Sequence, residues 1–157
     1  MGFCAVCAQA IFLREMMPLF TGTELVLGVL LAGWLFWVGL GGLLGGRFIG
    51  SKAHRDITMF VRLTFLVALL VPATTIVIRF GRGHIVAHPG ELPPFLPALT
   101  FSVCSMAPFG FIYGNLYNVA SRLWKEMPMG LKGGVSRVYI WEAAGSLAGA
   151  LFFSFII

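Results

Sequence analysis

The chain alternates long apolar runs with short polar connections, and the runs are the right length to cross a bilayer. Hydrophobic stretches cover residues 3–20, 23–46, 57–80, 95–120 and 137–157. Each falls near the roughly 17–25 residues that a transmembrane helix needs. The pattern predicts an all-α, polytopic bundle of about five spans in one transmembrane domain, with no soluble catalytic domain in these residues. Spans one and two are joined by Thr21, Gly22, Thr23 and Glu24. That spacing suits a capping box, in which Thr21 caps the start of span two and Glu24 reaches back to its amide; the alternative places Glu24 at an outward-facing mouth. Pro72 in span three and Pro108 in span four each remove a backbone hydrogen bond and predict a kink.

Composition agrees with the pattern. Charged residues make up 11% of the 157 and hydrophobic ones 59%, whereas a soluble domain carries about a quarter charged. The net charge of +5 is concentrated in connections. Arg47, Lys52 and Arg55 lie between spans two and three, with Arg62 just beyond; Arg122, Lys125, Lys132 and Arg137 surround the four–five connection. The one–two turn has no Lys or Arg, and the three–four side has only Arg79 and Arg82. The bias puts the N-terminus in the cytoplasm and marks topology, not a nucleic-acid footprint. The N-terminal run lacks a basic leader and a small-residue cleavage site, so it reads as a retained span. Five spans ending in an apolar run read as an N-terminal fragment, or as a bundle whose remainder a partner supplies.

Small residues recur at four-residue spacing: Gly28 and Ala32, Gly41 and Gly45, Gly42 and Gly46, Gly110 and Gly114, Gly145 and Gly149. Such rows let helix backbones approach closely; as packing surfaces or as sliding surfaces they use the same residues. Cys4 and Cys7, with Cys104, read as small buried apolar residues and not as a metal or redox pair. His84 and His88 stand at metal-binding spacing, but Pro89 disfavours the helix that spacing requires, so no metal is expected. No cofactor loop is expected either, because the glycines of 39–46 lie in a span and not after a strand.

The intramembrane charges carry the chemistry. Arg14 stands about 16 Å into span one, near the midplane, and cannot pair with Glu15 because successive helical side chains point about 100° apart. Glu142 on span five is its expected partner. Gln9 on span one and Tyr113, Asn115, Tyr117 and Asn118 on span four fall in the cytoplasmic half. Two readings follow: an Arg14–Glu142 structural ion pair with amide contacts between helices, or a solute site of Gln9, Glu15, Tyr113, Asn115, Asn118 and Glu142. Carboxylates with aromatic faces suit a cationic solute. An intramembrane enzyme would need paired aspartates or an HExxH signal, and the chain has neither.

Two segments resemble a family. Gln9, Arg14, Glu15, Phe20, Gly22, Glu24, Leu25, Gly28, Leu31, Ala32, Trp34, Leu35 and 41–47 form one motif, and Tyr139, Trp141, Glu142, Gly145, Ser146 and Gly149 a second. Together they resemble the membrane half of bacterial spermidine-synthase-like membrane proteins. The resemblance implies a domain related to the major facilitator fold in the inner (plasma) membrane, a possible polyamine or other cationic solute, and a cytoplasmic aminopropyltransferase-like domain encoded downstream. It leaves open a transporter-like domain or a passive anchor for that enzyme.

Overall fold

The computed structural model describes residues 1–20, 24–48, 53–85, 94–126 and 134–156, with side chains described at 1–20, 26–45, 57–85, 94–124 and 136–155. Its helices are α1 (Gly2–Met16), continued by a 3-10 turn (Met17–Leu19), α2 (Glu24–Phe48), α3 (Ala53–Ile85), α4 (Phe95–Glu126) and α5 (Gly134–Ile156). The expected capping box at Thr21–Glu24, and His88 with Pro89, lie outside the described residues. His84 belongs to the last turn of α3, which continues beyond the expected end of span three. Helix α3 runs uninterrupted through Pro72, and α4 through Pro108. Both prolines sit on exposed faces.

All five helices are long and apolar enough to cross a membrane. Their outward faces carry Leu35, Phe36, Leu43, Phe65, Leu69, Phe80, Leu147 and Phe155. Water would not tolerate so much contiguous apolar surface, and lipid requires it. The chain is a multi-pass membrane protein.

Buried positions repeat at helical spacing and show which face each helix turns inward. On α1 they are Ala5, Ala8, Phe12 and Met16; on α3 they are Leu63, Val67, Thr74 and Ile78. Helix α4 is central, packed against α2, α3 and α5, while α1 lies against α5 and α3. Helices α1, α3 and α5 run in one direction, and α2 and α4 in the other. Met1 and Phe60 share one cavity while Glu15 meets Arg79, so α1 and α3 are parallel. Gly2 faces Glu142 and Ser146, and Cys7 faces Gly149, so α1 and α5 are parallel too.

The close approaches are made by glycine. A Cβ on Gly41 would strike the backbone of Phe111, and one on Gly114 would strike Val38 and Gly42. Gly45 leaves room for the Asn115 side chain, and Gly110 for the Cβ of Trp37. Gly145 and Gly149 do the same for α1 at Gly2 and Phe3. Backbones at this range gain dispersion contacts that larger side chains would prevent. The Gly28 and Ala32 row differs: both residues are exposed and a Cβ on Gly28 meets nothing within 4 Å. Cys4 and Cys104 are likewise exposed and not buried as expected, because they lie on outward faces of α1 and α4.

Candidate functional site

The polar residues divide between the two ends of the bundle. At the N-terminal end, Glu142 is half-buried on α5 and accepts a hydrogen bond from the buried Tyr113 hydroxyl on α4. Tyr113 is fixed by stacking on Phe109, at 6.0 Å between ring centroids and 7° between planes. Glu142 lines a cavity of about 550 Å³ with Met1, Phe60, Ala120, Leu123, Trp124, Val138 and Trp141. It is the one charged side chain among these lining residues. Three aromatic faces and one carboxylate around a space of this size suit an organic cation, which gains from the ring quadrupoles and the charge together.

At the far end, Glu15 meets Arg79. Arg79 donates to one Glu15 carboxylate oxygen from Nε at 3.0 Å and from Nη2 at 2.5 Å. The Arg82 Nη1 lies 3.5 Å from the Glu15 carbonyl oxygen. Glu15 is therefore engaged by α3 and does not face a solute with Glu142.

The Arg14–Glu142 pair does not form. Glu142 lies level with Gly2, at the start of α1. Arg14 is twelve residues further along, roughly 18 Å at 1.5 Å per residue, beyond the reach of either side chain. Arg14 is exposed beside Ile11, Glu15, Arg79 and Phe153. The pairing fails on the offset of the two helices: Glu142 is eight residues into α5 yet level with Gly2 at the start of α1.

The two asparagines turn to α2. Asn118 donates to the Gly42 carbonyl oxygen across the α2–α4 contact. Asn115 donates to Phe111 one turn back, at 2.8 Å, and its other amide atom faces Gly45. Each satisfies a backbone or amide group that lipid could not. Gln9 is half-buried on α1. Of the expected solute residues, the structure brings Tyr113 and Glu142 together, engages Glu15 with Arg79, and turns Asn115 and Asn118 to α2.

Between the two ends lies an aromatic layer. Phe12 meets Phe109 edge-on at 5.4 Å, and Trp34 lies 5.2 Å from Phe109. Phe12 and Phe109 are fully buried. Sequence reasoning missed Arg79 as the partner of Glu15, and Phe60, Trp124 and Trp141 as walls of the Glu142 cavity. Arg79 was legible in principle: it stands six residues before the end of α3, and Glu15 four before the end of the 3-10 turn, in helices of the same direction. No known protein family matches this chain, and neither a curated protein nor a solved structure matches it.

Proposed function

We propose that the chain is the membrane domain of a transporter-like protein that takes an organic cation, such as a polyamine, into the Glu142 cavity. One observation carries this reading: the aromatic walls of a cavity of about 550 Å³ surround the Glu142 carboxylate, the one charged side chain among its lining residues. Its hydrogen-bond partner there is the Tyr113 hydroxyl, which brings no opposing charge. The basic connections belong to the same end of the bundle, which makes it the cytoplasmic end. The resemblance to spermidine-synthase-like membrane proteins agrees with an inner-membrane protein and a polyamine. The experiment is calorimetric titration of the detergent-solubilised protein with spermidine and with tetraethylammonium. Saturable binding lost in Glu142→Gln, with the unfolding midpoint kept, supports the reading. Equal binding by Glu142→Gln, or none by the unaltered protein, rejects it.

A second reading is favoured by the Phe12, Trp34 and Phe109 layer, which separates the cavity from the far end. A bundle that stays closed there would hold a cation, or anchor a cytoplasmic enzyme, without moving solute. Proteoliposomes loaded with labelled spermidine discriminate the two. Flux above that of protein-free vesicles supports transport, and binding without flux supports the closed bundle.

A further inference from the structure

The far end holds a second cluster, separate from the Glu142 cavity. Arg14 and Glu15 come from α1, and Arg79 and Arg82 from α3. Three guanidiniums against one carboxylate leave two positive charges in excess. The Arg79–Glu15 bridge accounts for one arginine, and Arg82 rests near the Glu15 carbonyl. Arg14 stays exposed. Beside them is a cavity of about 340 Å³ lined by Ile11, Arg14, Glu15, Arg79 and Phe153.

Two features make the excess charge informative. The cluster lies within the apolar stretches Gly2–Leu19 and Ile57–Ile85, and not in a connection. Arginine at such a depth is costly unless it meets water or a counter-ion. It also lies at the end that the charge bias assigns away from the cytoplasm, so topology does not account for it. Guanidinium groups are weakly hydrated and match pairs of phosphate oxygens with two parallel N–H donors.

The geometry points to a phosphate-ester site in this cavity, with the phosphate on Arg14, Arg79 held on the wall by Glu15, Arg82 adding positive charge from beside it, and an apolar portion against Ile11 and Phe153. A lipid headgroup and a free phosphate share this chemistry. The flanking phenylalanine and isoleucine, within the apolar stretch, fit the lipid.

The test is native mass spectrometry of the whole chain, released from nanodiscs of phosphatidylcholine mixed with phosphatidylglycerol. The unaltered protein should retain phosphatidylglycerol in preference to phosphatidylcholine. Arg14→Gln should weaken that retention about fivefold and Arg14→Gln/Arg82→Gln by tenfold or more, the scale expected per basic residue near an anionic membrane surface. Arg62→Gln, on the other end of α3, should retain it in full. Arg14→Gln changes one exposed residue, so it keeps the test readable where the double variant fails to fold. Displacement by inorganic phosphate would identify a site for the phosphate group itself. Lack of displacement, with retention still lost in the variants, would identify the lipid as its source. Retention unchanged in Arg14→Gln and in any folded double variant, or no lipid preference in the unaltered protein, would overturn the proposal.

Discussion

Arg79 grips a single carboxylate oxygen of Glu15 with two of its nitrogens, at 3.0 and 2.5 Å. The contact joins α1 to α3 across 64 positions of sequence. The two side chains differ in surroundings: that of Glu15 is 16% exposed and that of Arg79 64%. The acid is thus the committed partner, and the arginine reaches to it from the rim. Without Arg79, a largely covered carboxylate would remain inside an apolar stretch.

The asymmetry gives a first prediction. Glu15→Gln and Arg79→Gln each lower the unfolding midpoint in one detergent, and the charge-swapped Glu15→Arg/Arg79→Glu recovers part of the loss. A double-mutant cycle isolates the coupling, since each single change also alters its own solvation. Strictly additive losses with no recovery on swapping would show that the pair holds nothing together.

Much of the architecture could be read from the order of residues. Each described helix overlaps an expected span, because a bilayer imposes one length and one polarity on any segment that crosses it. The pairing of charges was not legible. Arg14 and Glu15 are adjacent in sequence, and choosing a partner for each requires knowing which residues share a depth. Depth depends on how α5 is offset against α1, and Glu142, eight residues into α5, stands level with Gly2 at the start of α1. Glu142 was identified as an intramembrane acid, yet its neighbour is Tyr113 and not Arg14. The Glu142 cavity needed coordinates, since Phe60, Trp124 and Trp141 come from three helices and form no motif.

The glycine contacts predict a sharp contrast between neighbouring positions. Gly114→Ala places a methyl group against the backbone of α2, and neither backbone can yield without separating the helices. Overpacking of this kind costs about 1–3 kcal/mol. A Cβ on Gly28 or Gly39 meets nothing within 4 Å. Gly28→Ala and Gly39→Ala should then be neutral or slightly stabilising, since alanine holds a helix better than glycine. Thermal unfolding in one detergent compares them; equal losses at Gly114 and Gly39 would contradict the close α2–α4 approach.

The parallel contact of α1 with α5 predicts a cross-link. The rings of Phe3 and Phe152 lie 5.4 Å apart between centroids. In a background with Cys4, Cys7 and Cys104 replaced by Ser, Phe3→Cys/Phe152→Cys should form a disulfide under mild oxidation. Phe3→Cys/Leu35→Cys should not, because Leu35 is 67% exposed on α2. Mobility on non-reducing gels reads both, and bridging of the second pair alone would place α1 elsewhere.

Tyr113 holds the acid, while Trp141 forms part of the wall, and the two roles predict different losses of cation binding. Removing the hydroxyl in Tyr113→Phe leaves the Glu142 charge in place but frees its direction. A hydrogen bond to a charged group contributes about 1.5–3 kcal/mol, so affinity for tetraethylammonium should fall by about ten- to a hundredfold and not vanish. Glu142→Gln removes the charge and should abolish saturable binding. Trp141→Phe keeps an aromatic face and should bind within about threefold of the unaltered protein, whereas Trp141→Ala loses the cation–π contribution of about 0.5–2 kcal/mol. The order of affinities is therefore fixed: unaltered protein, then Trp141→Phe, then Tyr113→Phe, with Glu142→Gln last. Calorimetry at one ionic strength measures it, since exposed charges are screened by salt. A Tyr113→Phe variant that binds as tightly as the unaltered protein would mean that the carboxylate is positioned by something other than this hydroxyl.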